Sequence, residues 1–248
     1  MKKQATDSNV LNENQDNQDN QDNQVTLYVT RHGKTILNAN HRVQGWADSS
    51  LVEKGVEVAE NLGTGLKDIH FTRVYSSDSG RAIETANLVL KYNEQSKLKL
   101  EKRKDLRELN FGTFEGEKVE IMWDAIGKAA GVTSADELMK YSVEEVINLI
   151  RAADPTKQAE DWEVFSTRIK KEINKISEEA AENGGGNVLV VVHGLMITAL
   201  IEMLDRSKTK LGVENASVTK ISYQDGSYTV ESVGDMSYVE KGKESVEI

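Results

Sequence analysis

The chain has no cysteine. Disulfides, thiolate nucleophiles and cysteine-ligated zinc are therefore excluded. It also has no apolar run near the ~20 residues that a membrane-spanning helix needs. Lys2 and Lys3 stand at the start with no apolar stretch behind them, so no intact export signal is expected. Positive charge is in deficit: 31 basic against 41 acidic residues give a net charge of −10. Such a surface repels nucleic-acid backbones and anionic membranes, and neither is expected as a partner. It repels anionic substrates as well, so a phosphate-binding site would need its own local cluster of cations. Aromatics make up 6% of the chain, and Pro155 is its one proline.

What is present fits a soluble globular protein. The length of 248 residues suits one large α/β domain with a modest insertion, and 38% of residues are hydrophobic. Residues 1–24 are low in complexity, with Asn-Gln-Asp repeated from Asn14 to Asp22. This stretch has too little apolar surface to offset the entropy of ordering, and it predicts a disordered tail before a domain over 25–248. The default compartment is the cytoplasm. The alternative is export or surface anchoring, with the tail as a spacer behind a removed signal. Nothing in the sequence speaks to oligomeric state.

Periodicity predicts strands at 25–30, 73–76, 98–103, 188–192, 217–224 and 227–232, with Asp225-Gly226 as a hairpin turn. Helices are predicted at 50–67, 79–92 and 160–183. The run Val188-Leu-Val-Val-Val192 is apolar throughout, as expected of a strand covered on both faces. Strand and helix alternate, which predicts a three-layer α/β/α sandwich around a mostly parallel sheet. Residues 115–160 break the alternation and read as a small helical cap insertion, with a capping box expected at Ser134 and Glu137.

Four histidines are present, and two share a setting. His32 and His193 each end a predicted strand, and each is followed by glycine, Gly33 and Gly194. Ligands of open α/β sheets bind beyond the carboxyl ends of strands. If these two strands are neighbours, the imidazoles meet there, and the glycines would let backbone approach a ligand. His41 and His70 have no such setting. Arg31 adjoins His32, and Arg81 lies in the first turn of helix 79–92, where free N–H groups and the helix dipole favour an anion. Guanidinium groups grip phosphate oxygens in pairs of hydrogen bonds. Two arginines beside two histidines thus predict an anion pocket inside an acidic protein. A metal site on His32 and His193 is the weaker reading, because no third ligand stands at a characteristic spacing.

Arg31-His32-Gly33 with Lys34-Thr35 resembles the Arg-His-Gly motif of the histidine phosphatase superfamily, in the branch that includes cofactor-dependent phosphoglycerate mutases. Further blocks match in order: Asn38, then Gln44-Gly45-Trp46-Ala47-Asp48, then Ser76-Ser77 through Arg81-Ala82, then Leu106-Arg107-Glu108 with Phe111-Gly112 and Glu115-Gly116, and finally Val190 to Gly194. The resemblance implies that His32 attacks phosphorus and becomes a phosphohistidine. Arg31, Arg81 and His193 would hold the phosphoryl oxygens. Asn38, Gln44 and Gly45 would belong to the substrate pocket. Glu108 would be the general acid, kept protonated by burial and by the substrate dianion, which predicts better activity at mildly acidic pH. No metal or other cofactor is implied, and the partner is a phosphorylated small molecule.

In the mutases of this family an Arg follows the acid and a Tyr stands two places later. Leu109 and Phe111 occupy those positions here, so hydrolysis of phosphate monoesters is expected ahead of mutase-type phosphoryl transfer. A catalytically silent phospho-ligand binding module is the remaining alternative. Trp46, Phe111 and the cap around Trp123 are expected either at an apolar rim beside the leaving group or in the core, with the core the expected place for Trp123.

Overall fold

The structure, a computed structural model, describes residues 23–132, 137 and 140–246. The repeats within 1–22, and Ser134 of the expected capping box, lie outside the described residues. Six strands form one sheet: β1 (Val25–Arg31), β2 (Phe71–Ser77), β3 (Leu100–Arg103), β4 (Gly186–Val192), β5 (Val218–Gln224) and β6 (Ser227–Asp235). Their order is β3-β2-β4-β1-β5-β6. The first four run parallel, and β5 and β6 add an antiparallel hairpin beside β1. The hairpin turns at Asp225 (φ 50°) and Gly226 (φ 78°). Two consecutive left-handed residues match the right-handed twist of the flanking strands.

The helices are α1 (Ile36–Ala39), α2 (Glu53–Gly65), α3 (Gly80–Tyr92), α4 (Val119–Ala130), α5 (Val143–Ala153), α6 (Trp162–Ala181), α7 (Gly194–Leu204) and α8 (Ser237–Val246). Alternation along the central strands divides the core. Leu27, Val29, Val188 and Val190 face Phe165, Ile169 and Ile173 of α6. Tyr28, Leu189 and Val191 face Leu62 of α2, Ala86 and Val89 of α3, and Val239 of α8. A period of two sends successive side chains to opposite faces, and helices cover both, which gives the three-layer sandwich.

On the second face, α2 and α8 approach backbone to backbone. A Cβ on Gly65 would lie 1.7 Å from the Tyr238 carbonyl oxygen, and one on Gly242 would lie 1.8 Å from that of Asn61. Helix α8 was not among the expected helices. Val239 carries it into the core, and the glycines let the two backbones meet.

Within 115–160, α4 and α5 are helical as expected. A capping box forms at Ser142 and Glu145, where each side chain accepts from the other's backbone N–H. Trp123 is corrected. It is 39% exposed, because α4 turns Met122 and Ile126 inward and leaves its neighbour about 100° round the helix.

Candidate active site

Four parallel strands deliver the chemistry to one edge. In the pairing of β1 with β4, Arg31 stands opposite Val192, so the next residues, His32 and His193, come level. The ladder extends one bond further, His32 N–H to the Val192 carbonyl at 2.9 Å. The two imidazole centroids lie 5.3 Å apart, edge to face. Strand β2 leads through a short turn into α3 and Arg81, and β3 leads through a 3-10 turn to Glu108. His32, His193, Arg81 and Glu108 are all buried, with Arg81 at 1% exposure. His41 is exposed and backbone-strained, with φ 50°, and His70 is exposed on the far side of the strand start.

The hydrogen-bond partners fix both tautomers. His32 Nδ1 lies 2.8 Å from the Gly33 carbonyl oxygen. A carbonyl only accepts, so Nδ1 carries the proton and Nε2 of the neutral ring carries the free lone pair. His193 Nδ1 lies 3.0 Å from Nη2 of Arg81. A guanidinium only donates, so this Nδ1 accepts and the proton sits on Nε2. Burial holds both imidazoles well below their usual pKa, and the Arg81 and Arg31 charges push the same way. Both are therefore neutral at pH 7. Three donors, Arg31 Nε, Arg81 Nε and His193 Nε2, are buried with no partner in the protein. Desolvated donors without partners are costly, and they are retained where an anion supplies the acceptors.

Arg81 is held from behind. Its Nη1 donates to the Ala47 carbonyl and to Asp48 Oδ1, both at 2.9 Å, and its Nη2 donates to the Gly45 carbonyl at 2.8 Å. The loop carrying those carbonyls is gripped by Glu115, whose carboxylate accepts from the N–H groups of Gly45, Trp46, Ala47 and Phe111 at 2.8–3.1 Å. Asp48 also accepts from Gly80 N–H at the start of α3. Thr85 ties the two halves together, accepting from Gly33 N–H at 2.9 Å and donating to the Arg81 carbonyl at 2.8 Å.

Glu108 occupies the start of α7. Its carboxyl accepts from Leu109 and Met196 N–H at 3.0 Å and from Leu195 N–H at 2.9 Å. It caps the helix in place of the N-cap residue His193, whose own side chain makes no cap bond. Burial raises the Glu108 pKa, and the backbone N–H groups and the two guanidinium charges offset part of that rise. Its backbone is pinned by Arg168, whose Nη2 donates to the Glu108 carbonyl at 2.8 Å while Glu160 holds the guanidinium at 2.7–2.8 Å.

The other expected site residues have local partners. Asn38 Oδ1 accepts from Thr35 N–H, closing a capping box on α1. Gln44 accepts from the Thr35 hydroxyl at 2.5 Å and donates to Ser49. Gly33 and Gly194 both stand close to neighbouring protein atoms. A Cβ on Gly33 would lie 2.6 Å from the Gly55 carbonyl, and one on Gly194 would lie 3.2 Å from Arg31 Nε. Glu115, Asp48, Thr85 and Arg168 were not singled out from sequence for these contacts. Glu115, Asp48 and Thr85 stood inside matched blocks, the one from Ser76 running on to Thr85-Ala86, but Arg168 had no local signal.

A cavity of about 750 Å³ opens beside Arg31, Glu108 and Gly194 and runs under α4 and α5. Phe111 and Trp123 line it. Trp46 does not: its Nε1 donates to the Glu108 carbonyl at 3.1 Å, and its ring lies under the Arg107 guanidinium, 4.9 Å from the centroid. Among the described residues no group of three or more His, Asp or Glu could hold a metal ion, and no helix is long and apolar enough to cross a membrane.

The parallel sheet thus gathers two imidazoles and two guanidiniums at one edge. Residues 27–236 match the model of the histidine phosphatase superfamily, branch 1, and the chain belongs to that family. A crystal structure of phosphoglycerate mutase from Bacillus anthracis strain Sterne is 83% identical, with a TM-score of 0.89, covering 91% of this chain and 99% of that one. Bacillus stearothermophilus YhfR is 28% identical with a TM-score of 0.70, covering 87% of this chain and 99% of its own. A probable phosphoglycerate mutase, GpmB of Erwinia tasmaniensis, is 27% identical over 86% of this chain and 94% of its own length.

Proposed function

We propose that this protein hydrolyses phosphate monoesters through a phosphohistidine on His32. The observation that carries the reading is the opposed pair of tautomers: a lone pair on His32 Nε2 and an N–H on His193 Nε2, with Arg31 and Arg81 beside them. His32 Nε2 attacks phosphorus, and the bond from phosphorus to the leaving oxygen breaks. Arg31, Arg81 and His193 N–H groups neutralise the charge on the three phosphoryl oxygens, which is where most protein catalysis of this transfer lies. Glu108 gives its proton to the leaving oxygen. Water then attacks phosphorus, the bond from phosphorus to His32 Nε2 breaks and returns its electron pair to the ring, the water's proton passes to the Glu108 carboxylate, and inorganic phosphate leaves. Covalent catalysis divides one slow step into two.

Hydrolysis is favoured over transfer to a phosphoglycerate by the residues after the acid. Leu109 is fully buried in the core, and Phe111 lies in the cavity wall. Neither can pair with a substrate carboxylate, a loss of roughly 1.5–3 kcal/mol relative to a charged hydrogen bond. The names of the Bacillus anthracis and Erwinia tasmaniensis relatives favour the second reading, mutase-type transfer. Incubation with a ³²P-labelled aryl phosphate, acid-sensitive label on the protein and release of inorganic phosphate tests the first. His32→Ala is expected to abolish both label and release. Isomerisation of 3-phosphoglycerate outpacing phosphate release would support the second.

A further inference from the structure

The cavity beside Glu108 says what the leaving group is like. Its position matters first. It shares Arg31, Glu108 and Gly194 with the phosphoryl site, while His32, His193 and Arg81 stand outside its lining. A proton donor must touch the leaving oxygen, so whatever that oxygen carries extends from Glu108 into this cavity. The wall there is built from Trp123, Tyr141, Val146, Leu195, Leu211 and Val213. Its charged members are unbalanced. Among the described residues lining it, Arg31 is the one cation, and its Nη1 is already bound to the Val213 carbonyl at 2.6 Å. Glu120 and Asp124, one turn apart on α4, stand on the wall of the same space.

We infer that the substrate is the phosphate monoester of a bulky apolar alcohol or phenol that carries no acid group. This rests on the phosphohydrolase reading above and narrows it. An apolar wall gains from every buried apolar group of the substrate, and one methylene in such a pocket is worth roughly 10–200-fold in kcat/KM. A carboxylate on the leaving group would enter the same wall unpaired, facing Glu120 and Asp124. A volume of about 750 Å³ falls within the range that holds drug-sized ligands, so small acids such as phosphoglycerate would leave most of it unfilled.

The test uses the full chain and three substrates matched at the reacting bond: n-hexyl phosphate, 6-phosphonooxyhexanoate and the methyl ester of the latter. Phenyl phosphate serves as the reference. The hexyl and ester compounds are expected to exceed the acid by at least ~10-fold in kcat/KM, in line with the loss of a charged partner. Leu211→Arg, at a position 56% exposed and so free to accept the change, is expected to narrow or reverse that ratio by a similar factor. Absence of turnover of phenyl phosphate would remove the phosphohydrolase reading and this one with it. Turnover of phenyl phosphate with the acid cleaved as fast as hexyl phosphate, or a ratio unmoved by Leu211→Arg, would overturn the cavity assignment alone.

Discussion

In the proposed mechanism His32 attacks as a neutral imidazole and Glu108 assists as a protonated acid, and burial serves both needs. The His32 imidazole is held well below its usual value of 6.5, so loss of nucleophile sets in only at pH well under that. The Glu108 carboxyl is raised from its usual 4.5, so its protonated fraction persists into less acidic solution. Activity is therefore expected to peak at mildly acidic pH and to fall as pH rises through the Glu108 pKa. Glu108→Gln should flatten that alkaline limb. It should also cost ~10²–10⁴-fold on alkyl phosphates, and far less on p-nitrophenyl phosphate, whose leaving group needs no proton. A pH–rate profile of kcat/KM for both substrates checks this. On the same proposal Glu115 is a positioning residue. Glu115→Ala strips four N–H groups of their acceptor and frees the loop behind Arg81. It is expected to lower kcat/KM by on the order of 100-fold at pH 6, and Glu115→Gln should restore part of the loss, because one amide oxygen can still accept.

At the scale of elements, the dock of α8 on α2 depends on the missing side chain at Gly65. A methyl group there meets main chain, which cannot swing aside. Gly65→Ala is expected to destabilise the fold by about 1–3 kcal/mol, and the thermal midpoint should drop by roughly 2–4 °C per kcal/mol. A kcat/KM left near the parental value in folded protein would confirm that the effect stays on that face of the sheet. This contact also marks the limit of the sequence reading. Strands β1 and β4 were legible because Val25–Thr30 and Val188–Val192 are dense in β-branched and apolar residues and stop at His-Gly. The ends of α2, α3 and α6 were legible to within about three residues because their inward positions repeat every three or four. Helix α8 was not, since Val239 and glycines carry its packing. Trp123 was placed in the core on hydrophobicity alone, although the phase set by Met122 and Ile126 turns it outward. Arg31, His32, Arg81, His193 and Glu108 could be gathered from strand ends and motif blocks. Arg168 could not, because it bridges helix α6 to a loop some sixty residues earlier, and no local spacing encodes that.

For the molecule as a whole, burying two neutral imidazoles ties global stability to pH. Both have folded-state values depressed below 6.5, so below that pH the unfolded chain binds protons that the folded one refuses. Stability from this source is present above pH ~6.5 and is lost as pH falls toward the folded-state values. Glu108 acts with the opposite sign, since its raised value lets the folded state take up a proton first. With two imidazoles against one carboxyl, the urea midpoint is expected to decline between pH 7 and pH 5. The double variant His32→Asn/His193→Asn should show a shallower decline across the same interval, whatever its absolute stability. An unchanged slope would mean that the imidazoles are not held neutral.

Helix α7 begins on the side chain of Glu108, and that has a spectroscopic consequence. The amides of Leu195 and Met196 each point at one carboxyl oxygen, so adding a proton to that carboxyl must shift their resonances. Titrating the ¹⁵N-labelled protein would make those two peaks an internal pH electrode, reading the occupancy of a single buried site without any substrate present.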